Sequence, residues 1–226
     1  MGSARANEKS HRELPPPQAL AQAGELKIKD KEGNDIPFKD LYTGKAETER
    51  QLIIFIRHFF CGSCEQYVMA LSKDLPPAAL EASNTSITLI GCGEPKCIPG
   101  IFYIFSAQQI SPTKCRLGYI ERTSCPYPIY TNPSASIYKA LGMTYITIKT
   151  GPNPQPTYLQ KPFFKNVLDS TWNGIVSGHP LSAGPSAQNG GEWLFQGGEV
   201  KWCSRMRGTA DHTETKELRA VLGMKE

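Results

Sequence analysis

The sequence of 226 residues predicts an α/β fold built around a central sheet. Residues 51–56 form a continuous β-favouring apolar run, and continuity rather than alternation indicates a strand buried on both faces. Residues 65–75 carry apolar side chains at helical spacing, and residues 86–90 form a second apolar strand. A strand, a helix and a strand at this spacing predict a right-handed crossover unit whose two strands are parallel.

Shorter elements are predicted on either side of this unit. Residues 25–29 and 36–38 predict an N-terminal hairpin, and residues 127–130 predict a third strand. A helix at 134–141 is expected to end at Gly142, which stands at a C-cap position. The other predicted elements are a helical turn at 40–42, a helix at 78–81, an amphipathic helix at 163–176, a hairpin of 192–195 with 199–203, and a closing helix at 213–222.

The composition indicates one globular domain at 24–226, preceded by a flexible tail at 1–23 that is small, polar and proline-bearing. No apolar run approaches the ~20 residues of a membrane span, and the N-terminus lacks an apolar leader. We therefore expect a cytoplasmic protein without a membrane span. The net charge of +4 is spread along the chain, which disfavours nucleic-acid binding. Nothing in the sequence indicates the oligomeric state.

A Cys-x-x-Cys pair, Cys61 and Cys64, stands between the buried strand and the helix. The first turn of a helix offers unpaired N–H groups and a positive dipole end, and both stabilise a thiolate. Cysteine pKa values in such motifs fall below the free value of ~8.5. Arg57 and His58 stand just upstream and add positive potential to the expected site. This context favours redox chemistry over an inert buried pair.

The chain holds seven cysteines, an odd number that does not divide into disulfides. Four of them could instead form a thiolate zinc site: Cys61, Cys64, Cys92 and Cys97. Zinc knuckles are usually short turns, whereas this pair follows a core strand, so we expect no bound metal. Cys92 is either a third redox thiol or a small buried core residue, and the second interpretation is favoured.

Several motifs together resemble the AhpC/TSA-type peroxiredoxin-like proteins, specifically the peroxiredoxin-like 2 group. Residues 55–64 read Phe-Ile-Arg-His-Phe-Phe-Cys-Gly-Ser-Cys, and the similarity continues at 90–93, 125–130, 132–134, 138–143, 188–195 and 205–212. The group includes prostamide/prostaglandin F synthases and many fungal proteins, so a fungal source is expected. The resemblance implies a thioredoxin-like three-layer sandwich with a central mixed sheet. It also implies thiol-dependent reduction of peroxides or endoperoxides.

The resemblance implies that Cys61 and Cys64 are the active pair. It further implies that a loop at Gly190 and Gly191 faces them, at the place where thioredoxins have a cis-proline. A backbone without side chains there would accept a substrate edge-on. The motif at 205–212 supplies Arg205 as a possible accessory residue.

The C-terminal part of that motif holds Asp211 and His212 beside Arg205. A structural ion-pair and capping cluster is favoured over catalysis for these residues, with Asp211 or Thr213 as a helix N-cap.

The chain departs from the family in two places. Authentic peroxiredoxins carry Pro-x-x-x-Thr/Ser-x-x-Cys, and neither Cys61 nor Cys64 completes that pattern, which disfavours fast hydrogen peroxide reduction. A thioredoxin-style alignment makes Cys61 the nucleophile, because it is nearer the helix start. Residues 100–117 are an atypical insertion for which we expect poor packing. It is a substrate-facing loop, a partner site or a translated intron, with the last slightly favoured.

Three functions fit these observations. In the leading one, the Cys61 thiolate attacks a peroxide, endoperoxide or disulfide, Cys64 closes the disulfide, and thioredoxin or glutathione reduces it without a bound cofactor. The second is a biosynthetic enzyme that holds a hydrophobic metabolite near the helix at 163–175. The third is a non-catalytic thioredoxin-like binding module. A pocket beside the pair favours the second function, and a buried Cys61 with a high pKa favours the third.

Overall fold

A computed structural model describes residues 11–99, 118–149, 155–160, 182 and 184–224. Its strands are β1 (Lys27–Lys29), β2 (Asp35–Pro37), β3 (Arg50–Phe55), β4 (Thr85–Gly91), β5 (Ile129–Thr131), β6 (Gly191–Gln196) and β7 (Glu199–Arg205). They form one sheet of seven strands in the order β2-β1-β5-β4-β3-β6-β7. Strands β3, β4 and β5 are parallel, whereas β1, β2, β6 and β7 pair antiparallel with their neighbours.

Helices cover both faces of this sheet. Within the described residues they are α1 (Pro17–Glu25), α2 (Gly62–Asp74), α3 (Pro77–Ala82), α4 (Tyr119–Thr123), α5 (Ser136–Ala140) and α6 (Thr215–Val221), with 3₁₀ turns at Phe38–Leu41 and Pro95–Cys97. Buried side chains of α2, α3, α4 and α6 belong to one core cluster, and those of α1 and α5 belong to a second. This is the predicted three-layer arrangement.

Strand β3 separates the two cores, because its side chains alternate between the faces of the sheet. Leu52 and Ile54 pack with α2, whereas Ile53 and Phe55 pack with α1 and α5. All four side chains are fully buried. The prediction from the continuous apolar run is therefore confirmed.

The order of elements around β3 is that of a thioredoxin-like fold. The β3–α2–β4 crossover joins two adjacent parallel strands, and the β6–β7 hairpin adds antiparallel strands on the other side of β3. At its carboxyl end, β3 pairs Phe55 with Gly191 of β6. The sheet therefore delivers residues 56–61 to the N-terminus of α2.

The predicted flexible tail is wrong for residues 11–23. Pro17 occupies the first turn of α1, where a missing N–H costs nothing, and Ala23 is fully buried. The carbonyl oxygen of Glu13 accepts hydrogen bonds from Arg205 (2.7 Å) and from the Cys203 thiol (3.3 Å). This segment therefore packs on the domain.

Other predicted bounds differ by a few residues. Strand β5 lies two residues after the strand expected at 127–130, and α5 occupies only the middle of the helix expected at 134–141. The crossover unit, the two hairpins and the closing helix are present.

Several predictions fall outside the described residues. These concern the first ten residues, the insertion at 100–117 with Cys115, and the amphipathic helix at 163–176. Among the helices that the structure does describe, none has the length and apolar character needed to cross a membrane.

Candidate functional site

The cysteine pair occupies the N-terminus of α2. Cys61 is the N-cap residue, with extended backbone angles, and Cys64 lies in the first turn. Both side chains are buried, with exposed fractions of 3% for Cys61 and 0% for Cys64. The N–H of Cys61 donates to the carbonyl oxygen of His58 at 3.1 Å, which closes the turn before the helix.

An ion pair anchors this turn to α4. Arg122 contacts Glu65 of α2 at 2.9 Å and also donates to the carbonyl oxygen of Phe59. The guanidinium lies 5.6 Å from the ring centre of Phe60. The turn is thus held from outside by one largely buried arginine.

The positively charged guanidinium of Arg57 lies beside the sulfur of Cys61. Its Nη1 donates to Cys61 Sγ at 3.3 Å, and its Nη2 donates to the carbonyl oxygen of Ser186. A hydrogen bond from the Cys64 thiol, together with the charge of Arg57, holds the pKa of Cys61 well below its usual value despite burial. These contacts therefore favour the thiolate form of Cys61.

Cys64 is the protonated partner. Burial and the hydrogen bond that its thiol donates to Cys61 raise the pKa of Cys64 well above its usual value. Its sulfur accepts the backbone N–H of Arg57 at 3.4 Å. The two thiols consequently differ in protonation although they are neighbours.

His58 does not add a positive charge near neutral pH, contrary to the expectation from sequence. Burial lowers the pKa of His58 to about 4, so the ring is neutral at pH 7. Its Nδ1 accepts the N–H of Phe60 at 3.4 Å. His58 therefore shapes the turn, and Arg57 supplies the charge.

A buried histidine lies behind Cys64. The Nε2 of His212 is 3.4 Å from Cys64 Sγ, and its Nδ1 is 2.6 Å from Oε1 of Glu192. The second carboxylate oxygen of Glu192 accepts the hydroxyl of Thr213 at 2.9 Å. The side chains of Glu192 and His212 are both fully buried. The His212 ring stacks on Tyr67 of α2, with centroids 4.2 Å apart.

This contact brings His212 of the 205–212 motif to the cysteine pair, and the His212–Glu192 and Arg207–Asp211 pairs agree with the expected ion-pair cluster. The expected capping role is wrong, because Glu214 is the N-cap of α6, Asp211 pairs with Arg207 at 3.1 Å, and Thr213 binds Glu192. Glu192 was missed altogether. A signal for it exists in the sequence: it opens an otherwise apolar strand, so a strand buried on both faces buries its carboxylate.

Cys92 is a core residue with an unreactive thiol. Its Sγ donates to the carbonyl oxygen of Arg57 at 2.7 Å, and burial raises its pKa to about 12. The other described cysteines also donate to carbonyl oxygens: Cys97 to Ser182, Cys125 to Tyr127 and Cys203 to Glu13. Within the described residues, no three metal-ligating side chains are gathered into a group, so the structure gives the four-thiolate zinc alternative no support.

Gly190 and Gly191 are explained by close backbone packing. A Cβ on Gly190 would overlap the carbonyl oxygen of Phe55, and one on Gly191 would overlap that of Ser204. The carbonyl oxygen of Gly190 accepts the N–H of Met206 at 2.9 Å, and its own N–H faces the sulfur of Met206. Neighbouring strands thus account for both glycines, and the edge-on substrate contact that the resemblance implied stays a prediction.

Arg205 contacts backbone and aromatic groups of other elements. It donates to the carbonyl oxygens of Leu141 (2.8 Å) and Glu13 (2.7 Å), and its guanidinium lies 4.8 Å from the ring centre of Trp193. These contacts tie β7 to α5 and to the N-terminal segment. The described residues also line two cavities of about 390 Å³ each, and neither is lined by Cys61 or Cys64.

The sequence is similar to several known proteins. A family model described as AhpC/TSA antioxidant enzyme matches residues 113–208. Human Peroxiredoxin-like 2C is 27% identical over 209 residues, which cover 92% of this chain and 82% of that protein. Peroxiredoxin-like 2C of Takifugu rubripes is 28% identical over 201 residues, which cover 88% and 79%.

Two solved structures match the chain at low sequence identity. The bacterioferritin comigratory protein of Xanthomonas campestris is 12% identical, covers 93% of each chain and has a TM-score of 0.49. A secreted Mycobacterium tuberculosis disulfide oxidoreductase is 8% identical, covers 92% of this chain and 98% of that one, and has a TM-score of 0.43. The resemblance expected from the sequence motifs is confirmed, because the chain is similar to Peroxiredoxin-like 2C proteins along most of its length.

Proposed function

We propose that this protein is a thiol-dependent oxidoreductase in which Cys61 attacks the substrate and Cys64 closes the disulfide. The observation that carries the proposal is the asymmetry of the pair. Arg57 and the Cys64 thiol both stabilise negative charge on Cys61, whereas Cys64 keeps its proton. A thiolate is the nucleophilic form of cysteine, and a neighbouring thiol is what resolves its product.

The proposed reaction moves two electrons from the pair to the substrate. With a peroxide, the Cys61 thiolate breaks the O–O bond, becomes a sulfenic acid and releases an alcohol after protonation. Cys64 then forms the S–S bond and water leaves. With a disulfide, Cys61 forms a mixed disulfide, and Cys64 displaces the second thiol. A thioredoxin-type dithiol or glutathione restores the pair in either case.

The names of the relatives agree with this chemistry. Peroxiredoxin-like and AhpC/TSA antioxidant enzyme describe thiol chemistry on peroxides, which requires no prosthetic group. The proposal places the protein in a reducing compartment such as the cytoplasm, where a dithiol reductant keeps the pair reduced. A peroxide or disulfide of small-molecule size is the proposed substrate.

The two alternatives have less support. A binding module would tolerate a buried Cys61 with a high pKa, and the contacts of Arg57 have the opposite effect. A biosynthetic enzyme would need an apolar pocket beside the pair, and neither Cys61 nor Cys64 lines the two cavities described above.

The test is a reductase assay after titration of the thiols against pH. We expect wild-type protein to consume an alkyl hydroperoxide or a small disulfide with a thioredoxin system, and Cys61→Ser to lose at least ~100-fold of that activity. Cys92→Ala is the matched control, because it removes a buried thiol that lies outside the pair. If Cys61 titrates like a free thiol and Cys61→Ser retains full activity, the proposal is wrong.

A further inference from the structure

One proton lies between two acceptors at Cys64. The Cys64 thiol has a single S–H, which it donates to the Cys61 thiolate in the resting site. The Nε2 of His212 lies 3.4 Å from the same sulfur. We assign the proton of His212 to Nδ1, because a carboxylate that accepts the Thr213 hydroxyl at one oxygen is suited to accept an N–H at the other; Nε2 is then an acceptor. The second acceptor is thus built into the resting structure.

Reaction of Cys61 removes the first acceptor. Once the sulfur of Cys61 is bonded to substrate, it no longer carries the negative charge that holds the Cys64 proton. Cys64 must then lose that proton before it can attack, and it is fully buried away from bulk water. Nε2 of His212 is the basic atom in contact with it.

We propose that His212 is the catalytic base of the resolving step, and that Glu192 is its positioning residue. This inference rests on the proposed function and adds a residue that lies outside the Cys-x-x-Cys motif. His212 touches a reacting atom, whereas Glu192 acts through the 2.6 Å contact with Nδ1.

The resolving step begins from a mixed disulfide between Cys61 and the substrate. The proton of Cys64 moves to Nε2 of His212, and the Cys64 thiolate attacks the sulfur of Cys61. The S–S bond between the two cysteines forms, the bond to the substrate sulfur breaks, and the substrate leaves as a thiolate. The proton on His212 passes to that thiolate or to water.

Titratable groups face His212 from two packed elements. From α2 it faces Cys64 and the ring of Tyr67, and from β6 it faces Glu192. Its backbone N–H donates to the hydroxyl of Tyr158 at 3.1 Å. The guanidinium of Arg57 contacts the sulfur of Cys61. The remaining neighbour, Thr213, donates to Glu192, and Asp211 is paired with Arg207.

The two half-reactions are separable with dithiobis(nitrobenzoate), a coloured aromatic disulfide. The first thionitrobenzoate anion leaves when Cys61 attacks the reagent, and the second leaves when Cys64 attacks the mixed disulfide. Stopped-flow absorbance therefore records two phases. Their assignment is checked with Cys61→Ser, which removes both phases, and Cys64→Ser, which removes the second.

We expect His212→Gln to keep the first phase and to slow the second ~100-fold at pH 7. Its second phase should then rise about tenfold per pH unit, because hydroxide must remove the proton. In wild type the second phase should level off within pH 6–9. Glu192→Gln keeps the shape of the side chain without its charge and should slow the second phase roughly tenfold. Arg207→Gln, on the same segment but at the surface, is the matched control and should leave both phases unchanged.

Three results would contradict these assignments. If the rate of the wild-type second phase rises tenfold per pH unit across the whole range, His212 is not the base of the resolving step, whether or not the variants fold. Normal second phases in folded His212→Gln and Glu192→Gln contradict it as well. Absence of the first phase in wild type overturns the proposed nucleophile instead.

Discussion

At the scale of single residues, one guanidinium and one shared proton set the chemistry of the pair. Arg57 contacts the sulfur of Cys61, and Cys64 donates its proton to that sulfur. The sequence suffices to locate this pair, because the motif follows a recognisable buried strand. It does not suffice to place His212 at the site, because the contact between His212 and Cys64 depends on how the segment after β7 packs against α2.

Arg57→Met should make Cys61 a weaker thiolate. The substitution keeps an unbranched side chain of similar length and removes the charge 3.3 Å from the sulfur, so the pKa of Cys61 rises. Alkylation of Cys61 by iodoacetamide at pH 6 should slow about tenfold. Quantitative mass spectrometry of the Cys61 peptide measures this rate, and Arg50→Met serves as a control at the other end of β3. Equal alkylation rates in wild type and Arg57→Met would contradict the role given to Arg57.

At the scale of elements, β6 links the site to the sheet. One face of the strand buries Trp193 and Phe195 in the α1–α5 core, and the other presents Glu192 and Leu194 toward α2. The β6–β7 hairpin itself could be predicted from its turn, in which Gly197 and Gly198 both have positive φ. The contact between Glu192 and His212 could not be predicted, because it depends on how the segment after β7 packs against β6.

Gly190→Ala should destabilise the protein by about 3 kcal/mol or more, because the added methyl overlaps the carbonyl oxygen of Phe55. Gly198→Ala is the matched control. It lies in the hairpin turn with a φ of 76° and meets only a distant methyl of Thr43, so about 1 kcal/mol is expected. Urea unfolding of both variants measures the difference. Equal losses would show that β6 does not approach β3 as described.

Arg205→Met should lower stability without changing Cys61. The buried arginine donates to the carbonyl oxygens of Leu141 and Glu13, and their loss costs about 2 kcal/mol. Arg207→Met removes an arginine that is more than a third exposed and should cost less than ~0.5 kcal/mol. Thermal unfolding gives the stabilities, and alkylation of Cys61 gives the second readout. A slower alkylation in Arg205→Met would restore the accessory role that the sequence suggested.

At the scale of the whole molecule, the sheet order brings distant parts of the chain to one buried site. The crossover unit supplies the cysteines, the terminal hairpin supplies Glu192, and the segment after it supplies His212. The fold class was predictable, because apolar periodicity marks most of the strands and helices. The packed segment at 11–23 was not, because its anchors are backbone carbonyls that carry no sequence signature.

Burial of a neutral histidine in this site also makes the stability of the molecule depend on pH. The pKa of His58 is about 4 in the folded protein against 6.5 in the unfolded chain, so the unfolded chain binds the proton first as pH falls. Wild type should therefore lose on the order of 3 kcal/mol relative to His58→Gln between pH 6.5 and pH 4. Urea unfolding of both proteins at a series of pH values measures this loss. Parallel stability curves would contradict the buried neutral histidine.

Identification of the cysteine that bonds to substrate tests the account most directly. Cys61→Ser and Cys64→Ser are each treated with a small disulfide near neutral pH, and peptide mass spectrometry locates the adduct. The thiolate assigned to Cys61 predicts a stable mixed disulfide on Cys61 in Cys64→Ser and none on Cys64 in Cys61→Ser. An adduct on Cys64 in Cys61→Ser, with Cys61 unmodified in Cys64→Ser, would contradict the assignment of the nucleophile.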